Sequence, residues 1–516
     1  MPSLYRVHSF RQAYGIINLS FNLLKNKSKS DLSDLSDLND LNDLNDLNDL
    51  NCRIVNLWFL CCSRIAGSTF NFQKDFASRC SIMNKFPRFL LLFSSAVYFL
   101  LCIVSALEFN AELHRVVVAF FILYGCLVVV RYAIIFFAFV MGRFERCQEA
   151  FSSQPLVTVI VPAFNEEDVI EQCLSSLLLL DYPHYEVIVV DDGSSDKTAD
   201  IARRFSHDNC QIPITVIRQT NSSKANALNM GVMHGNGEFF MCIDSDSTIS
   251  LDAITTGLVH FKDPSVGAVG GFVDINNTRT LLSKLQALEY VVGLSFTRAG
   301  LSYFNMVTVV PGPMGMFRGS ALRQVGGYSS NRSCFAEDAE LTVRLLSQGW
   351  KVRGEKKMIA HTEAPENLYA LLRQRYRWKR GIFQAFSSNI AAVSRMKGLR
   401  RLGLTSILVF DSFLFDVINF GITLFGVTSF LVLGEYQIIL WFFLLLTTLD
   451  LVVLLCATLG RGSLFRNILL FAFQRFTYSY ILQLWGVFAL IDEWRVAPMA
   501  WDKLDRIGGI NEEGQL

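Results

Sequence analysis

Residues 155–205 read PLVTVIVPAFNEEDVIEQCLSSLLLLDYPHYEVIVVDDGSSDKTADIARRF. The runs Leu156–Val161 and Tyr185–Val190 are apolar and rich in β-branched residues, a pattern typical of strands buried on both faces of a parallel sheet. Two later runs, Pro213–Ile217 and Gly237–Ile243, continue the series. The spacing therefore predicts an α/β fold with a doubly wound sheet, in which ligands bind beyond the carboxyl ends of the strands.

Helices are predicted between these strands. Lys197–Phe205 has a helical composition. Asn165 is expected to cap an earlier helix, with Glu166 and Glu167 in its first turn, because a side-chain oxygen and acidic groups both stabilise a helix N-terminus.

Three of the predicted strands end in polar residues, at Pro162–Asn165, Asp191–Asp192 and Asp244–Asp246. The last of these lies in FFMCIDSDSTIS, residues 239–250, where an apolar run stops at two aspartates separated by one serine. Two neighbouring carboxylates repel unless a cation offsets their charge, and a divalent cation that holds a phosphate fits this requirement. The alternative is a strand end followed by an Asx or Ser turn. No glycine-rich phosphate loop is present, so metal and side chains would hold any phosphate.

Composition indicates a membrane protein. The chain has 516 residues, of which 51% are hydrophobic and only 18% are charged, and its mean hydropathy is +0.34. Soluble domains contain about 25% charged residues. The net charge of +1 and the absence of a long basic tract exclude nucleic acid as an expected partner. The twelve cysteines include no CxxC pair, which favours reduced thiols over a disulfide framework or a zinc site.

Residues 1–82 differ in character from the rest of the chain. Residues 31–50 repeat Asp-Leu-Ser or Asp-Leu-Asn with a period of three, which fits neither a helix nor a strand. We expect residues 1–82 to be a disordered, dispensable extension, or Met83 to be the native start.

Membrane spans are predicted on both sides of a polar segment. Residues 83–150 contain the apolar stretches Phe89–Leu107 and Val116–Gly142, each close to the ~20 residues that cross a bilayer. Basic residues at both ends of this hairpin place those ends in the cytoplasm. Residues 151–395 form the cytoplasmic domain.

Residues 396–491 contain an expected interfacial helix at Leu402–Phe415, followed by three spans, and residues 492–516 form a tail. The spans are Val417–Gly434, Tyr436–Gly460 and Asn467–Ile491. This count leaves the C-terminus outside.

Arg131, Asp450 and Arg475 lie within predicted spans, where ionisable groups are costly. They either line a channel for a leaving product or pair between helices.

Six short motifs follow one another along the chain, namely VPAFNEE, VVDDGSSD, KANALNMG, DSDS, AEDAELTVRLLSQGW and QRYRWKRG. In this order they resemble the motifs of the processive membrane glycosyltransferases of family 2, which include synthases of cellulose, chitin, hyaluronan and poly-N-acetylglucosamine. The resemblance implies a GT-A-type catalytic domain (Rossmann-like, with a mostly parallel sheet) inserted between transmembrane α-helices. It also implies a UDP-sugar donor, a growing glycan acceptor, and Mg²⁺ or Mn²⁺ as cofactor.

The resemblance implies roles for individual residues on the donor side. Pro162, Phe164 and Asp192 would hold the uridine, with Asp191 supporting that strand end, although the division between the two aspartates stays open. Lys224 would approach the phosphates, Asp246 would ligate the metal, and Asp244 would touch the ribose or sugar and complete the metal pair. The residues expected to bind the nucleotide sugar are Pro162, Phe164, Asp191, Asp192, Lys224, Asp244, Gln374 and Arg377.

On the acceptor side, the resemblance implies that Asp338 is the general base, with Glu337 the second choice. The alternative is that both acids only stabilise the N-terminus of the helix that runs through Gln348. Ala336 stands where family members commonly have threonine, so one hydroxyl contact is lost.

QRYRWKRG is predicted to be helical, which places Gln374, Arg377 and Trp378 on one side. The fork of Arg377 suits a diphosphate and the indole of Trp378 suits a sugar ring. Gly312 and Gly315 would leave room for the acceptor. Alternatively, this is an amphipathic helix whose Arg373, Arg375 and Arg377 face lipid headgroups. Gln286 and Tyr290 either line the acceptor path or only pack.

The sequence thus predicts a processive, inverting hexosyltransferase in the plasma (inner) membrane. It would polymerise a UDP-sugar, with UDP-N-acetylglucosamine favoured, into a β-linked polysaccharide and export it. Its partners would be the lipid membrane and accessory export or regulatory proteins. The alternatives are transfer of one sugar to a lipid phosphate, and a catalytically inactive scaffold.

Overall fold

A computed structural model of the chain describes residues 111–142, 154–330, 335–410, 414–433, 437–458 and 464–497. The predictions for residues 1–82, for the span Phe89–Leu107 and for the tail after residue 497 lie outside these described residues.

Eight strands form one sheet within the described residues. They are β1 Val157–Ala163, β2 Tyr185–Asp191, β3 Ile214–Arg218, β4 Phe239–Cys242, β5 Thr248–Ile249, β6 Val266–Ile275, β7 Gly315–Arg318 and β8 Lys351–Thr362. Their order is β3-β2-β1-β4-β7-β6-β8-β5.

Four of the neighbouring pairs run parallel, namely β2–β3, β1–β2, β1–β4 and β6–β8. The pairs β4–β7, β6–β7 and β5–β8 run antiparallel. The sheet is therefore mostly parallel, and the predicted GT-A-like α/β fold class is confirmed.

The helices of this domain connect the strands. They are α1 Ile170–Leu177, α2 Thr198–Asp208, α3 Lys224–His234, α4 Ala253–Leu258, α5 Leu281–Val292, α6 Ala299–Tyr303, α7 Gly319–Val325, α8 Glu337–Ser347 and α9 Leu368–Arg395. A 3₁₀ segment, Val259–Lys262, follows α4, and a π-helical segment, Gly293–Arg298, joins α5 to α6.

Several of these helices begin at side chains that accept backbone N–H groups. Ser223 caps α3 through Asn226 N, Thr280 and Ser283 form a capping box at α5, and Asn367 caps α9 through Ala370 N. These caps explain why the helices begin where they do.

The sheet is buried on both faces, as the continuous apolar runs predict. All seven residues of β1 are buried. Val159 and Val161 pack in one apolar cluster with Ile170 of α1, and Ile160 packs in a second cluster with Leu228 of α3. Alternating side chains of one strand thus supply two cores, because successive residues in a strand point to opposite faces.

Further helices within the described residues flank the domain in the sequence. They are, before it, α0 Ala111–Gly142 and, after it, α10 Gly398–Val409, α11 Phe415–Leu433, α12 Gln437–Thr458 and α13 Leu464–Phe473. A π-helical segment, Gln474–Tyr478, continues α13 into α14 Ser479–Trp494. The last predicted span, Asn467–Ile491, is therefore helical throughout but has a π segment at its centre.

Length and composition qualify one helical segment, Leu123–Gly142, as a membrane span within the described ranges. Phe415–Phe425 and Phe443–Thr458 are apolar but shorter. Leu123–Gly142 lies within the second predicted span, Val116–Gly142. The total number of membrane crossings stays a prediction.

Two of the three ionisable groups in the predicted spans pair with each other. Arg475 Nε lies 3.2 Å from Asp450 Oδ2, and the Tyr132 hydroxyl donates a 2.5 Å hydrogen bond to Asp450 Oδ1. The guanidinium of Arg131 lies 5.3 Å from the ring centroid of Phe415. Of the two interpretations of these residues, the geometry of Asp450 and Arg475 favours pairing between helices.

The packing of α3 on the sheet generates a prediction about stability. A Cβ at Gly231 would lie 2.4 Å from Ile160 Cγ2, so α3 approaches β1 closely. We expect Gly231→Ala to lower the free energy of unfolding by about 1–3 kcal/mol, because added volume in a packed core causes strain. Thermal unfolding of the full chain in detergent measures this change.

Met233→Ala on the same helix is the control, since the Met233 side chain is 78% exposed. An unchanged melting temperature in Gly231→Ala would show that the close approach of α3 to Ile160 does not require glycine at position 231.

Candidate functional site

The carboxyl ends of three neighbouring strands meet at one edge of the sheet. Strands β2, β1 and β4 are parallel neighbours, and Ala163 at the end of β1 pairs with Asp191 at the end of β2. Asp192 N donates to Ala163 O at 2.9 Å, and Ile243 N donates to Ile160 O at 3.1 Å. The predicted convergence of Pro162–Asn165, Asp191–Asp192 and Asp244–Asp246 is therefore present in the structure.

The expected helix cap at Asn165 is wrong. Helix α1 begins only at Ile170, and Asn165 has φ = +54° in the left-handed region. Its Oδ1 accepts a 2.8 Å hydrogen bond from Ser195 N, and its own N–H donates to Ser194 Oγ. Asn165 joins the loops after β1 and β2, because asparagine tolerates the left-handed conformation better than most residues.

The two aspartates after β2 have different surroundings. The Asp191 side chain is fully buried, its Oδ1 accepts from Ser194 N at 3.2 Å, and its Oδ2 lies 3.1 Å from Arg218 Nε. Asp192 Oδ1 accepts from Gln219 Nε2 at 2.6 Å and from Ser222 N at 3.0 Å. Asp191 thus stabilises the end of the strand, and Asp192 holds the loop that leads into α3.

Lys224, the first residue of α3, brings distant segments together. Its ammonium contacts Asp244 Oδ1 and lies 3.8 Å from Glu337 Oε1. A Cβ at Gly312 would lie 3.0 Å from Lys224 Nζ and 3.5 Å from Asp244 Oδ2. Gly312 therefore keeps open a space beside this ion pair that any larger residue would fill.

The charge on Lys224 is stabilised by its neighbours. Burial by itself lowers the pKa of Lys224, but the charges of Asp244 and Glu337 outweigh that effect and raise the pKa above its ordinary value. Lys224 therefore stays protonated and offsets the negative charge of the acidic groups around it.

Asp338 lies in the first turn of α8, as predicted from the motif. Its Oδ1 accepts a 2.7 Å hydrogen bond from Ala339 N. Burial and the neighbouring charge of Glu337 raise the pKa of Asp338 to about 6, although Lys224 acts in the opposite direction. A carboxyl group with this pKa can accept a proton near neutral pH.

Arg298 is a buried cation that the sequence did not indicate. It ends the π-helical segment Gly293–Arg298, donates to Gly271 O, and lies 5.9 Å from the ring centroid of Phe272. Burial lowers the pKa of Arg298 to about 10, and the charge of Asp338 acts against this. No local sequence signal marks a π segment, so Arg298 could not have been assigned in advance.

Asp246 is 8% exposed, and its Oδ1 accepts a 3.0 Å hydrogen bond from Ser247 Oγ. Among the residues that the structure describes, no group of three or more His, Cys, Asp or Glu side chains is placed to hold a metal ion. Mg²⁺ is often bound by one or two carboxylates, with substrate phosphates and water completing its coordination. Asp244 lies beside the space at Gly312, and together with Asp246, two positions further along the chain, it fits such a site.

The QRYRWKRG motif lies on α9, and its helical prediction is confirmed. Gln374 has a buried Oε1 without a hydrogen-bond partner, which is costly unless a ligand or water satisfies it. A Cβ at Gly381 would lie 2.6 Å from Ala336 Cβ, so α9 approaches the residue that precedes the acidic pair of α8. This contact brings the motif helix to the start of the helix that carries Asp338.

Trp378 is surrounded by groups of α5 and α9. The Arg375 guanidinium lies 4.3 Å from the Trp378 ring centroid, and the Tyr290 and Trp378 centroids are 6.3 Å apart. Arg375 also forms a 2.9 Å ion pair with Glu289. The alternative in which Arg375 faces lipid headgroups is therefore wrong, because its charge is paired inside the protein.

Other predicted residues lie in the sheet or directly after one of its strands. Pro162 is a buried residue of β1, whereas Phe164 just beyond it is 39% exposed. Gly315 begins β7 opposite Cys242, and a Cβ there would lie 2.6 Å from Val310 Cγ1. The close neighbours of Gly315 are core side chains, and its predicted contact with the acceptor stays a prediction.

Sequence reasoning also missed Gln219 and Ser222, which hold Asp192, and Glu289, which holds Arg375. Gln219 and Glu289 are common polar residues in unremarkable local patterns. Ser222 carried a signal, because it lies in the polar stretch just before Lys224.

Comparison with known proteins gives a family match over the domain described above. The model of the family described as "Glycosyltransferase like family 2" matches residues 154–381. A poly-beta-1,6-N-acetyl-D-glucosamine synthase of Staphylococcus aureus (strain MSSA476) is 32% identical over 226 residues, which cover 44% of this chain and 54% of that protein. The synthase of the same name from Staphylococcus epidermidis is 32% identical over 228 residues, with the same coverage. The chain spans about half the length of these curated relatives.

Solved structures also resemble the chain. The mannosyltransferase PcManGT from Pyrobaculum calidifontis, in complex with GDP-Man and Mn²⁺, is 20% identical with a TM-score of 0.47, covering 72% of this chain and 98% of that one. S. aureus TarS 1–349 in complex with UDP-GlcNAc is 17% identical with a TM-score of 0.32, covering 57% and 91%.

Proposed function

We propose that the chain is a processive, inverting glycosyltransferase of the plasma membrane, because residues 154–381 match the model of the family described as "Glycosyltransferase like family 2". It polymerises a UDP-sugar into a β-linked polysaccharide and exports the product. UDP-N-acetylglucosamine is the favoured donor, since the matched staphylococcal relatives are named as synthases of a β-1,6-linked polymer of that sugar.

One observation carries the catalytic part of the proposal. The carboxylates of Asp244 and Glu337 lie around the ammonium group of Lys224, and Asp338 follows Glu337 in the chain. The three acidic residues and the lysine come from segments far apart in the sequence. A partly buried cluster of opposite charges with a perturbed carboxyl pKa is typical of an active site.

The proposal assigns a role to each residue of the site. Asp192 and Phe164 bind the uridine, while Lys224, Gln374 and Arg377 bind the phosphates. Asp244 and Asp246 hold the divalent cation, which, when bound, neutralises the negative charge that develops on the departing UDP. Asp338 accepts the proton of the acceptor hydroxyl as this oxygen attacks the anomeric carbon. Direct attack inverts the anomeric centre, so an α-linked donor yields a β-linkage.

The acceptor site favours a polymer. The partly exposed Trp378 offers an aromatic surface for a terminal sugar ring. Its helix, α9, contacts the helices that follow the domain. Arg380 and Glu493 form a 2.7 Å ion pair, and Trp485 Nε1 donates a 2.6 Å hydrogen bond to Leu372 O. A glycan leaving Trp378 would thus start its path beside the flanking helices. Accessory proteins for export or regulation remain part of the proposal.

The raised pKa of Asp338 generates a prediction about pH. A carboxyl group must be ionised to act as a base, so kcat/KM for transfer should fall as the pH falls through about 6. Asp338→Asn should lower kcat by about 10²–10⁴-fold while UDP binding stays within about twofold of the wild type. UDP release measures the rate, and calorimetry measures binding.

Ser347→Ala at the other end of α8 is the control for this substitution. Near-normal turnover in Asp338→Asn would assign the base to another residue, with Glu337 the first to test.

The Asp244–Asp246 pair generates a prediction about metal dependence. Chelation by EDTA should stop UDP release, and Mg²⁺ or Mn²⁺ should restore it in the wild type. Asp246→Ala should be inactive at every metal concentration, because one of the two carboxylates that hold the cation is lost. Activity in EDTA equal to that in Mg²⁺ would contradict a metal site at this pair.

A donor screen tests the proposed function as a whole. UDP release is measured with UDP-N-acetylglucosamine, UDP-glucose, and UDP-glucuronate paired with either, and the labelled product is sized. A ladder of lengths that requires UDP-N-acetylglucosamine is expected. A single labelled product on a lipid phosphate would indicate one transfer, and no UDP release with any donor would indicate an inactive scaffold.

A further inference from the structure

Arg375 is the second residue of the QRYRWKRG motif, and it lies against the indole of Trp378. Its guanidinium carbon is 4.3 Å from the Trp378 ring centroid and 5.5 Å from the Tyr290 ring centroid. The side chain of Arg375 is 11% exposed. A cation over an indole face is attracted by the ring quadrupole, and the attraction grows when water is excluded.

The position of Arg375 is set by Glu289 on α5. Arg375 Nη2 donates a 2.9 Å hydrogen bond to Glu289 Oε2. Burial lowers the pKa of Arg375, but the charge of Glu289 outweighs that effect and raises it, so the guanidinium is a full cation. Glu289 therefore anchors Arg375 across two helices, α5 and α9.

The same carboxylate oxygen is held from the flanking helices. The Tyr478 hydroxyl donates a 2.7 Å hydrogen bond to Glu289 Oε2. Tyr478 ends the π-helical segment Gln474–Tyr478, which also contains Arg475, the partner of Asp450. A π segment shifts the side chains that follow it relative to a regular α-helix, and such segments are frequent at functional sites.

We propose that Glu289 and Tyr478 are positioning residues for the acceptor site. Tyr478 orients Glu289, Glu289 holds the guanidinium of Arg375, and Arg375 holds the indole of Trp378 in the orientation that stacks on the terminal sugar of the glycan. This inference rests on the proposed function, because it assigns the acceptor to Trp378. It makes the π segment of the last helical span part of the acceptor site.

The test uses the full chain in detergent, a short β-1,6-linked N-acetylglucosamine oligomer as acceptor, and UDP-N-acetylglucosamine as donor. Glu289→Gln should raise the KM for the oligomer about tenfold and leave the dissociation constant for UDP within about twofold, because only the indole loses its fixed orientation. Tyr478→Phe should raise the same KM by a smaller factor. Retained UDP binding shows that each variant is folded.

A double-mutant cycle separates positioning from a general structural effect. Glu289→Gln combined with Trp378→Ala should have the acceptor KM of Trp378→Ala alone, because the effect of Glu289 passes through Trp378. Additive losses in the double variant would overturn the proposal.

Tyr376→Phe is the matched control for Tyr478→Phe. Tyr376 donates a 2.8 Å hydrogen bond to Asp492 Oδ2, so its loss removes a hydroxyl–carboxylate bond of the same kind outside the Trp378 contacts. The control should leave the acceptor KM at the wild-type value. An equal rise in both variants would mean that any loosening of α9 has this effect, and the proposal would be wrong.

A spectroscopic measurement keeps the inference separable from the proposed function. The Trp378 fluorescence is taken as the difference between a chain and the same chain carrying Trp378→Phe. Acrylamide should quench this component more strongly in Glu289→Gln, because the guanidinium no longer covers part of the ring. Increased quenching without transfer to any acceptor would support the positioning of Trp378 by Glu289 and contradict the proposed function. Unchanged quenching would contradict the positioning itself.

Discussion

The ammonium group of Lys224 is the charge on which the candidate site depends. It contacts Asp244 and lies 3.8 Å from Glu337, next to Asp338 in the chain. Carboxylates brought together in a partly buried site repel each other strongly, and a cation among them offsets the cost of holding them ionised. The lysine is the first residue of α3, so the loop held by Asp192 also decides where this charge lies.

The same charges give two acidic groups of the cluster, Asp244 and Asp338, different surroundings. Asp244 forms an ion pair with Lys224, whereas Asp338 is half-buried next to Glu337 in the chain, and the pKa of Asp338 is raised to about 6. Desolvation and a like charge both favour the neutral carboxylic acid, and Lys224 only partly compensates. One cluster thus contains a carboxylate that is paired with an ammonium group and another whose raised pKa lets it exchange a proton near neutral pH, and acid–base chemistry uses such differences between neighbouring carboxyl groups.

The helix α9 links this cluster to the helices beyond the domain. Gly381 allows α9 to approach Ala336 at the entry to α8, and Arg380 pairs with Glu493 of α14 at 2.7 Å. Arg375 and Glu289 connect the same helix to α5, and Tyr478 extends the connection to the π segment. Buried charge pairs are weak as sources of stability but specific in geometry, so they are suited to holding Trp378 in one orientation.

The sequence by itself determined strands β1 to β4, the helical QRYRWKRG and AEDAELTVRLLSQGW segments, and the convergence of three polar strand ends, because buried parallel strands have long apolar runs and their carboxyl ends share one edge. It did not indicate strands β5 to β8. Boundaries agreed to within a few residues, for instance Tyr185–Val190 against Tyr185–Asp191. Tertiary structure alone decided that Asn165 joins two loops and that Lys224 forms an ion pair with Asp244. It also decided that Arg298 is buried near Asp338 and that Arg375 pairs with Glu289 inside the protein. Hydrophobic periodicity reports which face of an element is buried, but the pairing of charges depends on distances between residues that are remote in the chain, and no local pattern encodes those distances.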